Sequence, residues 1–516
     1  MKREGAPGNV STKLPHVSRF THRKAYAFPH NLHISNIMTH QPPNEEAFLY
    51  EQLATSISKL IDGGTLRPGD RLPSVRKFSK KRGVSVSTVL QAYRHLEDCR
   101  LVEARPQSGF YVRPQVRNRP TQPKISAPPL AATEVDVSEL VMEVLDSIAD
   151  PDVVPLGAAI PSPDLLPTVK LNRVLATVAR QAGTEINTYL LPKGYEPLRH
   201  EIALRALDWG CNLSSDDFLI TCGCLQALSL CLRAVARAGD TVAVESPAYY
   251  GVLQLLESLH LKTLEIPTCP SDGIDVEALE HAIAHEPVKA CLVNPNFQNP
   301  LGSLMPEANK KALVDLCARH EIPLLEDDLY GDLYFEPPRP KSLKAFDRTG
   351  NVLHCSSFSK TLAPGYRIGW VAPGRFEKEV RRAKLASTIS TAAPLQMALA
   401  VFLRKGGYDH HLRTLRRAFA GNLERMTQAV GEYFPEGTRA TRPLGGFVLW
   451  VELPETVDAL DLHRQALKHQ ISIAPGPIFS TTGQYGHFIR LNGGYPWSDR
   501  IEQALQTLGR LAGRKT

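Results

Sequence analysis

Between His354 and Trp370 the chain reads His-Cys-Ser-Ser-Phe-Ser-Lys-Thr-Leu-Ala-Pro-Gly-Tyr-Arg-Ile-Gly-Trp, which sets Lys360 among hydroxyls just after an apolar run and places Arg367 seven residues on. A lysine amine condenses with an aldehyde to a Schiff base, and Ser357, Ser359 and Arg367 are the donors that a phosphate dianion needs. Amine, hydroxyls and guanidinium in this order make a place to hold pyridoxal 5'-phosphate. Taken alone, Ser-x-Ser-Lys is more often a polar turn with a surface lysine, so the weight rests on the company that this motif keeps.

Three further stretches supply it. Leu324-Leu-Glu-Asp-Asp-Leu-Tyr330 puts Asp327 and Asp328 at the end of an apolar run, and ligands of open α/β sheets gather at such strand ends. A carboxylate there keeps a pyridine nitrogen protonated, and a tyrosine three residues later, Tyr330, reaches the ring's phenolic oxygen. Asn294-Pro-Asn-Phe-Gln-Asn299-Pro-Leu-Gly302 offers an amide to that same oxygen. Ile220-Thr-Cys-Gly223-Cys224-Leu225-Gln226 opens a helix with a glycine, which directs backbone N–H groups and the positive helix end at a phosphate. Singly, these are loop solvation, an Asn-Pro turn and an ordinary helix start.

The elements that must position these residues belong to a long chain. At 516 residues it exceeds what one hydrophobic core organises, so two or more domains are expected. Hydrophobic content of 43% and charge of 22% are those of a globular protein, no apolar run is long enough to span a bilayer, and the first residues lack a secretory stretch. A cytoplasmic protein is expected. Nine cysteines are scattered without the paired C-x-x-C spacing of a zinc site, and no metal is expected. The net charge of +7 is localised: Arg67 to Arg113 holds 11 Lys/Arg against 4 Asp/Glu, while the rest of the chain is balanced. That excess is either a solvated basic face or a contact for nucleic acid.

Residues 1–44 show no sustained period and read as a flexible tail, and Met38 lies close enough to the first folded segment to serve as an alternative start. Over 45–113, apolar positions from Phe48 to Ile61 fall at helical spacing before Gly63-Gly64, Ser74 caps a second helix that Gly83 closes, and Ser85 caps a third. Leu101–Ala104, the turn Arg105–Gly109 and Phe110–Val112 read as a hairpin, which completes a winged helix-turn-helix. Residues 114–154 read as a linker, proline-stiffened to Pro129, with a helical pattern over Val135–Ile148. From 155 to 512, short apolar runs alternate with helical segments, which argues for an α/β domain with a mainly parallel sheet and a smaller C-terminal subdomain.

Taken in order, the motifs from 155 to 512 resemble the fold type I pyridoxal-phosphate aminotransferases, particularly the branch with kynurenine and 2-aminoadipate aminotransferases. The resemblance implies a mainly parallel seven-stranded sheet, an internal aldimine on Lys360 and phosphate contacts from Arg367. It implies Asp327 facing the pyridine nitrogen, Tyr330 and Asn299 on the phenolic oxygen, and, in Glu245-Ser-Pro-Ala-Tyr249-Tyr-Gly, Tyr249 stacking on the ring. It further implies that Tyr189 of one subunit reaches the phosphate held by the other, and that Arg490, in His487-Phe-Ile-Arg-Leu-Asn, grips an amino acid's α-carboxylate. The phosphate turn departs from the pattern, with Cys224 and Leu225 where many relatives carry Ser/Thr and Gln, so contacts there are expected to be mostly backbone; Leu301 replaces a usual threonine.

The front segment, Gly69-Asp-Arg-Leu-Pro-Ser-Val-Arg76, Gly83-Val-Ser-Val-Ser-Thr88 and Leu101 to Val112 with its Arg-Pro-Gln-Ser-Gly wing, closely resembles the GntR-type winged helix. Ser85, Ser87 and Thr88 then face phosphates or bases of double-stranded DNA, while Arg76 and the wing at Gln107, Ser108 and Gly109 face the backbone or minor groove. Val86 stands where many relatives carry a basic residue. A GntR-type winged helix joined to an aminotransferase-like domain resembles the MocR subfamily of transcription regulators, most of all its YdcR-type members. That resemblance implies a pyridoxal-phosphate-dependent regulator that senses an amino acid, an amine or the vitamer, acting as a homodimer with exchanged front domains. The alternatives are a working aminotransferase with an appended DNA-binding segment, and a cofactor reservoir that binds DNA nonspecifically.

Overall fold

The computed structural model describes residues 49–67, 69–98, 101–105, 108–112, 120–146, 150 and 152–513. The expected tail, Met38 and Gln107 therefore lie outside the described residues. The chain divides into two compact units, Met1–Gln115 and Val116–Thr516.

In the first unit three helices, α1 (Leu49–Asp62), α2 (Val75–Arg82) and α3 (Val86–Asp98), precede a hairpin of β1 (Val102–Arg105) and β2 (Gly109–Val112). Local chemistry sets each boundary. The Ser74 side chain accepts from Lys77 N at the start of α2, and Gly83 closes that helix in the left-handed region at φ 68°. Ser85 Oγ accepts from Thr88 N at 3.0 Å to start α3. The helical stripe Leu53, Ile57 and Ile61 packs with Phe78, Val89, Tyr93, Leu96, Val102 and Val112 into one small core. Backbone bonds from Leu72 N to Phe110 O and from Gly69 N to Val112 O seat the hairpin against the turn before α2.

The second unit begins with an extended stretch and α4 (Ser138–Asp146), then β3 (Val154–Pro155), α5 (Thr168–Gln181) and α6 (Glu196–Ala206). Its large sheet is built from β4 (Leu219–Thr221), β5 (Thr241–Ser246), β6 (Lys262–Cys269), β7 (Gly273–Ile274), β8 (Val288–Val293), β9 (Leu324–Asp327), β10 (Val352–Ser357) and β11 (Gly369–Ala372). The strand order is β4-β11-β10-β9-β8-β5-β6-β7. The run from β10 to β6 is parallel, whereas β11 is antiparallel to both its neighbours. Seven strands were expected; the eighth, β7, is two residues turned back on the end of β6, too short to show alternation. Successive residues send their side chains to opposite layers: Val242, Val244 and Leu325 pack towards α7 (Cys224–Val235) and α8 (Tyr250–Ser258), while Ala243 and Leu324 pack towards α9 (Val276–His285) and α10 (Glu307–Arg319).

The C-terminal part forms a four-stranded sheet in the order β12-β13-β16-β15, from β12 (Arg439–Ala440), β13 (Val448–Glu452), β15 (Ala474–Pro475) and β16 (Phe488–Asn492), with β14 (Ile471–Ser472) paired to β3. The expected linker is not free between units: from Thr121 to Ser138 it lies along the second unit, with Pro123, Pro128, Val135 and Val137 buried and a backbone bridge from Thr133 to Thr263. Apolar anchors spaced irregularly in extended backbone leave no period to read.

Candidate functional site

The site forms where β9 and β10 end beside the start of α7. Alternation along β9 separates its acids: Asp327 lies on the α7 side, Glu326 and Asp328 on the other. Asp327 is buried, with Oδ1 3.3 Å from the Cys224 thiol, and burial pushes its carboxyl up to about 6. Asp328 accepts from Asn296 Nδ2 at 2.8 Å and from Arg339 at 2.6 Å. Glu326 accepts from the backbone N–H of Leu343 and Lys344 and lies 3.0 Å from His354 Nδ1. Glu326, Asp328 and His354 are close enough to resemble a metal cluster. Their carboxylates are instead taken up by N–H donors, and His354 stacks on Trp209, so this side braces the strand ends.

Lys360 follows β10, and its Nζ donates to Ala159 O at 2.6 Å. Burial, and then the Arg490 guanidinium, hold its amine down to about 8. Arg490, on β16, is completely buried; it donates to Asn299 Oδ1 at 2.9 Å and to Gly157 O, while its Nε has no partner. The Asn299 amide lies 3.4 Å from the Tyr330 hydroxyl, and burial raises the Tyr330 phenol. Tyr249, Asn294, Asn299 and Asp327 line one small cavity, into which the Asn294 Oδ1 is buried without a partner. Six residues from five separated stretches thus converge: Lys360, Asp327, Tyr330, Asn299, Tyr249 and Arg490.

The other end of the site is a cradle of backbone. Gly223 sits at φ 80°, and a Cβ on it would come within 2.5 Å of the Arg367 guanidinium. It immediately precedes α7, so the free N–H groups of that helix open beside Arg367. Arg367 donates to Ser359 Oγ at 3.2 Å, and Ser359 N to Ser357 Oγ at 3.2 Å. Arg367 itself adopts a left-handed φ of 53°, a strained conformation held by its surroundings. The Cys224 side chain turns away from this cradle towards Asp327, and Leu225 is exposed, which leaves backbone as the donor there. Tyr189 stays 74% exposed, in a loop that Lys384 anchors through Pro192 O.

This donor set fits pyridoxal 5'-phosphate: a helix start and a guanidinium for the dianion, a carboxylate for a ring nitrogen, an amine held well below its ordinary range, and orphaned buried atoms on Arg490 and Asn294. The carbonyls of Gly157 and Ala159 complete the site and were not foreseen, nor was the turn of the Cys224 thiol towards Asp327. Backbone carbonyls carry no signature in sequence, and a lone cysteine at a helix start gives no sign of which way it turns.

In the first unit the DNA-facing candidates lie on α2, at the start of α3 and in the wing. Arg76 is exposed, as is Val86 at the start of α3. Ser85 Oγ lies 2.7 Å from both Ser87 Oγ and Thr88 Oγ1, so the Ser85 hydroxyl bonds to the other two. In the wing, Gly109 takes φ 112° with Arg71 against it, and Ser108 Oγ lies 2.6 Å from Tyr111 Oη. Among the described residues no helix is long and apolar enough to cross a membrane.

Fold and site together define a DNA-binding winged helix joined to a pyridoxal-phosphate-type transferase fold. Residues 49–112 match the gntR family of bacterial regulatory proteins, and residues 151–506 match aminotransferase class I and II. The chain is 45% identical to the uncharacterised HTH-type transcriptional regulator YdcR of Escherichia coli (strain K12) over 90% of its own length and 98% of that protein's. It is 42% identical to a second regulator of that organism, YjiR, over 89% and 98% of the two chains. Among solved structures, Pyrococcus horikoshii kynurenine aminotransferase superposes with a TM-score of 0.67 at 30% identity, over 72% of this chain and 94% of that one. The chain belongs to the HTH-type transcriptional regulators that join a GntR-family domain to a class I and II aminotransferase domain.

Proposed function

We propose that the protein is a DNA-binding transcription regulator whose second unit holds pyridoxal 5'-phosphate on Lys360 and senses an amino acid, an amine or the vitamer there. The observation that carries this reading is the convergence, in a chain with a winged helix, of Lys360, Asp327, Tyr330, Asn299 and Arg490 on one buried site. When bound, the cofactor supplies an aldehyde for amine capture and a ring that withdraws electrons. Gly223, the start of α7, Ser357, Ser359 and Arg367 would hold its phosphate. Asp327 would face the ring nitrogen, Tyr330 and Asn299 its phenolic oxygen, and Tyr249 one ring face. Lys360, with its amine lowered to about 8, presents the neutral nucleophile at a far lower pH than an ordinary lysine does. Arg490 is buried with a free Nε and takes a carboxylate bidentately, which favours an α-amino acid over a simple amine.

Binding of that ligand changes DNA engagement to the extent that it favours one arrangement of the front units over another. A cytoplasmic homodimer with exchanged front domains, in which Tyr189 of each subunit completes the site of the other, agrees with this reading; the exposure of Tyr189 supports it. Arg76, the start of α3 and the wing from Gln107 to Gly109 make the DNA contacts.

A second reading, a working aminotransferase with an appended DNA-binding unit, is favoured by the full set of lysine, aspartate, tyrosine and arginine in the site. One experiment separates the two: the visible absorption of the purified protein is followed while amino acids and amines are added. A band that shifts and stays shifted identifies an effector held without turnover. Rapid bleaching to the amine form of the cofactor, reversed by a keto acid, identifies the enzyme and overturns the sensor.

A further inference from the structure

The stretch from Thr121 to Ser138, which follows the front unit in the chain, is stitched to the second unit at four places. Thr121 O accepts from Ala440 N at 2.9 Å, on the C-terminal sheet. Ser126 Oγ donates to Ser246 O at 2.7 Å and accepts from Thr268 N at 3.0 Å, so one hydroxyl joins the ends of β5 and β6. Thr133 and Thr263 exchange both backbone bonds, at 2.8 and 2.9 Å, and the Thr133 hydroxyl lies 2.9 Å from that of Thr481. The Glu257 carboxylate receives Val137 N, Ser138 N and Ser138 Oγ at 3.1, 3.2 and 2.9 Å.

These anchors touch the site from two sides. Ser246 opens the turn that leads to Tyr249; its hydroxyl donates to Glu265 at 2.5 Å and lies 2.8 Å from Tyr485 Oη. Glu265, on β6 and buried, also receives the Ser480 hydroxyl and both the backbone N–H and the hydroxyl of Thr481. Thr481 and Tyr485 lie in the loop that runs into β16, the strand of Arg490. The stretch therefore bonds both to the strand end that carries Tyr249 and to the C-terminal part that carries Arg490. Up to Ser138, which opens α4, it forms no helix and pairs as a strand only at Thr133; its seat is made jointly by the sheet ends that precede Tyr249 and by the C-terminal part that carries Arg490.

We propose that residues 121–138 form a strap that carries the state of the cofactor site to the DNA-binding unit. Resting on the sensing function proposed above, the strap is the element whose seating differs between ligand states. A hydrogen bond of about 2.9 Å is lost when its atoms part by ~0.6 Å or more. A shift of about that size of the C-terminal part against the sheet breaks either the bonds to Ala440 and Thr481 or those to Ser246 and Thr268, since Pro123, Pro128 and Val135 are themselves seated. In sequence the strap follows the wing strand β2 within ten residues, so reseating it changes where the front unit is tethered.

The test uses the full chain, loaded first with pyridoxal phosphate and then with N-(5'-phosphopyridoxyl)-L-leucine, a stable adduct of cofactor and amino acid. Hydrogen exchange is measured at Thr133, Val137, Ser138 and Thr268, and affinity for a duplex selected from random sequence by the wild-type protein is measured in both states. Exchange at these amides is expected to differ at least tenfold between the two loadings. Ser126→Ala and the isosteric Thr133→Val are expected to keep the affinity of the pyridoxal-phosphate form within twofold and to lose the change that the adduct brings. Unchanged strap exchange on adduct binding overturns the strap, as does a full DNA response in both variants. Changed exchange with no change in wild-type DNA affinity overturns the sensing reading, and the strap's regulatory role with it.

Discussion

The two units place their working residues in opposite ways. In the winged helix the candidates come from short neighbouring segments: Ser85 bonds to both Ser87 and Thr88 at the start of α3, which its side chain also caps, and Arg76 is exposed in the first turn of α2. In the second unit the working residues come from segments as far apart as Gly157 and Arg490; Asp327, Tyr330, Asn299 and Arg490 are buried, and burial itself alters the chemistry of Asp327 and Lys360. A surface that must meet a large polyanion needs charge in water and little else. A pocket that must hold a small reactive molecule needs a lysine made neutral and an arginine made single-minded, which only a dry interior provides.

That contrast can be broken in order of expected effect. Lys360→Ala is expected to abolish the visible band of the loaded protein entirely; a band that survives would remove Lys360 from its place. Arg490→Lys keeps the charge and loses the fork, and is expected to weaken binding of an α-amino acid by about tenfold or more in a spectral titration. Gly223→Ala forces a side chain into a conformation that costs about 1–3 kcal/mol and against Arg367, so cofactor affinity is expected to fall roughly tenfold or more, as read by fluorescence quenching. With the Lys360 amine at about 8, the rate at which cofactor-free protein captures pyridoxal phosphate should rise about tenfold per pH unit up to pH 8 and then level. An ordinary lysine would carry that rise towards 10.5. At the exposed end the effects shrink. Arg76→Ala is expected to weaken DNA binding alike on all sequences and to lower the salt slope by about one ion, measured by titration at several salt concentrations.

Local signals were the ones most fully legible. Ser74, Gly83 and Ser85 mark helix ends because a hydroxyl oxygen or a left-handed glycine satisfies orphan backbone groups wherever it stands. Strands such as 352–357 and 488–492 were visible as apolar runs between turns. The strap was not: its anchors are hydroxyls bonded to residues more than a hundred positions away, as Ser126 is to Ser246, and a proline-rich stretch looks the same docked or free. The second carboxylate at the end of β9 gives a sharper case. Spacing alone offers both Asp327 and Asp328 to the site, and the family resemblance points to Asp327; strand alternation, with Arg339 claiming Asp328, supplies the physical reason.

The sequence by itself determined the inventory: a lysine after hydroxyls, an acid at a strand end, an arginine late in the chain and a basic winged helix in front. Those follow from residue type and short spacing, which act through the backbone within a few positions. The tertiary structure decided which atoms meet: that Cys224 turns to Asp327, that Arg490 keeps one nitrogen free beside Asn299, and that the stretch at the start of the second unit is tied to the strand end before Tyr249. Burial and long-range hydrogen bonds arise only when distant segments pack, and these set both the reactivity of the site and its connection to the rest of the chain.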